Sequence, residues 1–127
     1  MKKSISFVLL MSLFAFTGAY ANSGIQLNKL EINNAYNDSI SALCKAAMKG
    51  DVDQVRSLIA TGEALNEKSL GLTPAMFAAR YNKAEVLKVL MLNGANLNIK
   101  SDKGYTAKEY AKMSNAKDVL EVLDSNS

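Results

Sequence analysis

The sequence predicts an all-α solenoid of three stacked helix–turn–helix pairs, on the strength of an internal echo, a capping signal at the start of the copies and apolar residues at helical spacing. Gly71, Thr73, Ala78, Asn82, Val86, Leu87 and Leu90 recur at an offset of 33 as Gly104, Thr106, Ala111, Asn115, Val119, Leu120 and Leu123. Upstream, Ala46, Ala47, Leu58, Gly62, Leu65, Asn66 and Lys68 anticipate Ala78, Ala79, Leu90, Gly94, Leu97, Asn98 and Lys100 at an offset of 32. A period in this range belongs to chains in which each unit packs only on its neighbours, with no single central core.

Taken in order, the chain opens with Lys2 and Lys3, an apolar run from Ile5 to about Phe16, and Ala19-Tyr20-Ala21. A positive start, a short apolar stretch and a small-x-small site predict a secretory signal peptide over residues 1–21, cut between Ala21 and Asn22. The alternative, an uncleaved anchor, has to contend with a run shorter than the roughly 20 residues of a membrane span. The expected location of the mature chain is periplasmic or secreted, without stable membrane insertion after cleavage. Residues 22–40 form an Asn-rich extension whose aliphatic residues are Ile25, Leu27, Leu30, Ile32 and Ile40. It is expected to be partly ordered against the first pair, or else to be a tether, with Asp38 and Ser39 offering helix-start chemistry ahead of Ile40.

Residues 41–68 make the first repeat, 69–100 the second, 101–124 the third, and 125–127 a tail. In the second, Thr73 caps a helix while Pro74 takes its first position, where the missing N–H is not needed. Thr106-Ala107 keeps the cap and drops the proline. Ala78 and Ala79 allow a second helix to approach closely, and Val86, Leu87, Leu90 and Met91 recur at helical spacing to cover that approach. Gly62 and Gly94 stand where a helix ends in a left-handed residue. The change of offset means that one residue is missing between Ser69 and Gly71, in a loop, so the helices stay in phase. Lys108, Glu109, Lys112, Lys117, Asp118, Glu121 and Asp124 give the last pair the polar outer face of a C-terminal cap.

The second copy, Gly71-Leu-Thr-Pro-Ala-Met-Phe-Ala-Ala79 followed by Ala84 to Met91 and Asn93-Gly94-Ala95, resembles the ankyrin repeat. The first copy is poorer, with Ser41, Ala42, Leu43 and Cys44 in place of Thr, Pro, Leu and His and Gly62-Glu63-Ala64 for the exit; the third stops after Leu123 without a Gly-Ala exit. The resemblance spans about residues 41 to 124 and implies a concave surface made by the turn tips and the first helix of each pair, where partners bind.

Carried over, the turn positions are Ser69, Leu70 and Leu72, then Asp102, Lys103 and Tyr105. The helix positions are Lys45, Met48 and Lys49, then Phe77, Arg80 and Tyr81, then Tyr110, Met113 and Ser114. The expected contact residues are Lys45, Met48, Leu72, Phe77, Arg80, Tyr81, Lys103, Tyr105, Tyr110 and Met113, of types enriched in interface cores. The alternative is that Phe77 and Tyr110 pack between repeats and that Met48 and Met113 fill gaps. Three pairs at about 10 Å spacing make a short strip, at the low end of the roughly 800 Å² per partner of stable complexes.

Composition narrows the function. The chain has 15 basic and 12 acidic residues; without Lys2 and Lys3 this becomes 13 against 12, a net charge near +1. The basic residues form no unbroken stripe, so nucleic acid is not an expected partner. There is no histidine and a single cysteine, Cys44, so nucleophilic catalysis with a His base and the usual zinc ligand sets are excluded, as is an intrachain disulfide. Cys44 is expected to be a covered filler, with an intermolecular disulfide as the alternative. Asp51 and Asp53 read as helix-start acids. The expectation is a non-enzymatic protein-binding module without cofactor or metal, monomeric, acting as an inhibitor, immunity-type or accessory factor; the rival is a self-associating module that dimerises through the same face.

Overall fold

The computed structural model describes residues 34–127; the expected signal peptide and most of the extension lie outside them. The contacts divide the chain into two units, Met1–Asp38 and Ser39–Ser127. Of the first, residues 34–38 are helical and exposed. The second holds six helices in three pairs: α1 (Ala42–Lys49) with α2 (Val52–Ala60), α3 (Pro74–Arg80) with α4 (Ala84–Leu92), and α5 (Ala107–Met113) with α6 (Lys117–Ser125). The last helix runs one residue past the repeat boundary expected at 124. No helix among the described residues is long and apolar enough to cross a membrane.

The helices form two layers. The first helices stack as α1–α3–α5, the second as α2–α4–α6, and each pair joins the layers. Small residues permit that closeness: Ala47, Ala78, Ala79 and Ala111 are fully buried between the layers. Val55, Val86, Leu87, Leu90 and Val119 close over them from the second layer with almost no exposed surface. Burying a side chain of this size contributes about 1.5–3 kcal/mol, so these few residues carry much of the cohesion between repeats.

The helix starts follow the expected chemistry with one correction. The hydroxyl of Thr73 accepts the Met76 N–H at 3.3 Å and that of Thr106 accepts the Glu109 N–H at 3.3 Å. Asp51 accepts from Gln54 at 3.1 Å. The first helix is capped by Ser41, which accepts the Cys44 N–H at 3.2 Å, and not by Asp38 or Ser39. Ile40, buried at 2 % exposure, precedes the helix and anchors the entering chain in the core.

Cys44 is a free, buried thiol. Burial pushes its ionisation up from the ordinary thiol range, while the hydroxyls of Ser41 and Ser69 pull the other way with smaller effect. It is therefore protonated and unreactive at neutral pH, and an intermolecular disulfide would require the first repeat to open.

The missing residue is absorbed in the turn. Ser69 and Leu72 exchange backbone hydrogen bonds at 2.8 and 3.0 Å around two central residues, and both Leu70 (φ 52°) and Gly71 (φ 79°) have positive φ. That is the signature of a two-residue type I′ hairpin. One repeat later the turn from Ser101 to Tyr105 has three central residues, closes with Ser101 N–H to Tyr105 O at 2.8 Å, and needs positive φ only at Gly104.

Candidate functional site: the groove between two turns

The two turns project from the stack beside the first-layer helices, and the space between them is a groove of about 360 Å³. Its walls are the 70–72 turn and the 101–105 turn, and its floor runs along α3 and α5 from Leu72 and Tyr110 to Arg80, Met113 and Ser114. The turns are tied together: the Asp102 N–H donates to the Gly71 carbonyl at 3.1 Å, and the Lys68 ammonium meets the Asp102 carboxylate at 3.3 Å. A Cβ at 71 would lie 2.7 Å from an Asp102 carboxylate oxygen and sit on backbone with φ 79°, so a side chain there would displace Asp102 and strain the turn.

The floor is held by a buried hydroxyl. Ser101 accepts the Tyr110 hydroxyl at 2.9 Å and the Tyr105 N–H at 3.2 Å, and the two tyrosine rings meet edge to face at 5.8 Å. Tyr110 is thus pinned at 8 % exposure while Tyr105 stays 40 % exposed at the rim. Leu70 at 50 % and Met113 at 58 % complete an apolar rim. Arg80 lies in the last turn of α3, its guanidinium carbon 5.9 Å from the Tyr81 ring centroid. Neither Arg80 nor Lys103 forms an ion pair with a described residue.

Of the residues expected from sequence, the structure brings Leu72, Arg80, Lys103, Tyr105, Tyr110 and Met113 to this groove. It does not bring the others. Phe77 is a core residue at 3 % exposure, so the row Lys45, Phe77, Tyr110 is interrupted in the middle. Met48 packs half-buried against the core. Lys45 lines a separate recess with Ala42, Ala46, Lys49, Asp51 and Gln54. Tyr81 is exposed beneath Arg80, outside the groove lining. The groove residues absent from the expected contact set are Leu70, Gly71, Ser101, Asp102 and Ser114; Leu70, Asp102 and Ser114 stood among the carried-over turn and helix positions, and the switch of offset from 32 to 33 marked the turn that holds Leu70 and Gly71.

The groove has an apolar rim, two cations and a carboxylate already engaged by lysine. Among the described residues no group of three His, Cys, Asp or Glu side chains is placed to hold a metal ion.

Two layers of short helix pairs with projecting turns, and a groove between the turns and the first-layer helices, define a stacked-repeat protein. A family model for ankyrin repeats (3 copies) matches residues 18–101 and again residues 43–126, and the chain belongs to the ankyrin repeat family. It is also similar to a chain in the solved structure of the Bd0816 predatory endopeptidase from Bdellovibrio bacteriovorus in complex with immunity protein Bd3460, with 35% sequence identity and a TM-score of 0.63. The match covers 68% of this chain and 46% of that one, so the protein spans less than half of its structural relative. No curated protein matches.

Proposed function

We propose that this protein is an exported, non-catalytic binding module that engages an envelope peptidase through the groove between the 70–72 and 101–105 turns, as an inhibitor or immunity-type factor. The observation that carries the reading is that folding leaves Leu70, Tyr105 and Met113 exposed around one concavity flanked by Arg80 and Lys103, which form no ion pair among the described residues. Aromatic, Met and Arg side chains gathered at a concave site are the composition of an interface core. Similarity to a chain of an endopeptidase–immunity protein complex supports the partner class. Lys2, Lys3, the apolar run after them and Ala19-Tyr20-Ala21 support export.

The test is capture from envelope extract by the purified protein, with bound proteins identified by mass spectrometry. Arg80→Ala combined with Met113→Ala removes two exposed groove side chains without opening the core. The pair is expected to abolish capture of a peptidase, a loss of at least about 2 kcal/mol, while thermal unfolding stays within a few degrees. Tyr105 is a poorer choice, because its ring rests on Tyr110 and removing it would mix stability with binding. Undiminished capture by the double variant, or capture only of proteins that are not peptidases, would refute the reading.

A further inference from the structure

The groove is electrically one-sided. Asp102 is its single carboxylate and is held by Lys68 at 3.3 Å, whereas Arg80 and Lys103 have no acidic partner among the described residues. A partner that covers the groove takes both cations out of water, which is unfavourable unless the partner brings anions to them. A neutral or basic surface therefore fits badly, however well its apolar part packs.

The positions of the two cations set the shape of the occupant. Arg80 and Met113 are equivalent residues one repeat apart, at the C-terminal ends of α3 and α5, while Lys103 sits at the tip of a turn at the other end of the groove. Helix α3 has seven residues and so is about 10 Å long at roughly 1.5 Å per residue; Lys103 lies in the turn that precedes α5, beyond the helix, so an occupant that meets both cations spans at least about three extended residues. Between those ends lie Leu70, Leu72, Tyr105 and Tyr110, and the one carboxylate of the lining, Asp102, is held by Lys68.

We infer that the occupant is an extended acidic segment of the protein partner: a carboxylate at each end, facing Arg80 and Lys103, and an apolar side chain between them seated against Leu70 and Tyr105. The inference rests on the protein-binding reading above and adds the chemistry of what is bound. It assigns Arg80 and Lys103 the part of specificity determinants, since apolar anchoring alone would not tell an acidic segment from a basic one.

The experiment is an amide chemical-shift titration of the ¹⁵N-labelled protein with three capped peptides at up to millimolar concentration: Glu-Leu-Leu-Glu, Lys-Leu-Leu-Lys and Glu-Ser-Ser-Glu. The first is expected to shift the amides of Gly71, Tyr105 and Ser114, and to bind about tenfold tighter than either of the others. Arg80→Gln should erase the preference for acidic ends, and Arg80→Glu should reverse it in favour of the lysine-ended peptide. Equal binding of acidic and basic peptides, shifts confined to residues outside the groove, no shifts at all, or an unchanged preference in Arg80→Glu would each overturn the inference. A dimer in light scattering that Arg80→Glu dissolves would also overturn it, because the occupant would then be a second copy of the chain. If envelope capture depends on the groove while the peptides show no charge preference, the acidic segment falls and the binding function stands.

Discussion

Leu70 is the residue at which local backbone chemistry and surface exposure conflict. An L-residue with a β-carbon in the left-handed region costs roughly 1–2 kcal/mol, and asparagine tolerates that region far better than leucine. Yet a leucine stands there, half exposed, at the rim of the groove. Strain held at a surface position is what a binding role would maintain against stability. Leu70→Asn should therefore raise stability by about 0.5–1 kcal/mol in urea denaturation and weaken partner capture; a loss of stability would mean that the turn is not under strain. The change of offset located the deletion in the sequence, but not its consequence, because which residue moves to positive φ depends on how Ser69 and Leu72 pair. Phe77 and Tyr110 show a second limit. They are matched in the repeat, and only the reach of the Tyr110 hydroxyl to Ser101 distinguishes a ring that lines the groove floor from one that is wholly core.

At the level of elements, the last pair takes one helix start from its neighbour. Helix α6 begins after Ala116 and has no side-chain cap of its own. The Asn82 side chain from the preceding repeat supplies one, its Oδ1 accepting the Val119 N–H at 3.1 Å while its Nδ2 donates to Asp118 at 3.0 Å. Asn82 also occupies the left-handed position (φ 55°) that ends the turn between α3 and α4. The two roles separate by substitution. Asn82→Gly keeps the backbone and loses the cap, at about 1 kcal/mol; Asn82→Ala loses both, at about 2 kcal/mol. Asn115, which has the same backbone conformation and whose side chain caps no helix among the described residues, should tolerate glycine with little change in the urea midpoint. Equal midpoints for wild type and Asn82→Gly would contradict the inter-repeat cap. The intra-repeat caps at Thr73 and Thr106 were legible in sequence because donor and acceptor lie three residues apart. The Asn82 cap was not, since it spans a repeat and no local pattern records it.

Over the whole molecule, the fold was legible because the second and third copies state it twice, once in their caps and once in their apolar spacing, while the cap of the first stands at Ser41 and not at Asp38 or Ser39. The groove was only half legible. The repeat assigns positions to a concave side, but exposure within that side depends on packing between copies, which buries Phe77 and leaves Met113 58 % exposed. On the proposed reading, function comes down to a short groove formed by two neighbouring turns and two first-layer helices, backed by the second layer that holds them. The central claim is that the groove side of the stack meets the partner and the outer layer does not. Hydrogen–deuterium exchange of the protein alone and with its captured partner tests this most directly: the account predicts slowed exchange at residues 70–72 and 101–105 and at the C-terminal end of α5, with α2, α4 and α6 unchanged. Slowed exchange along the outer helices, with the two turns exchanging as in the free protein, would contradict it.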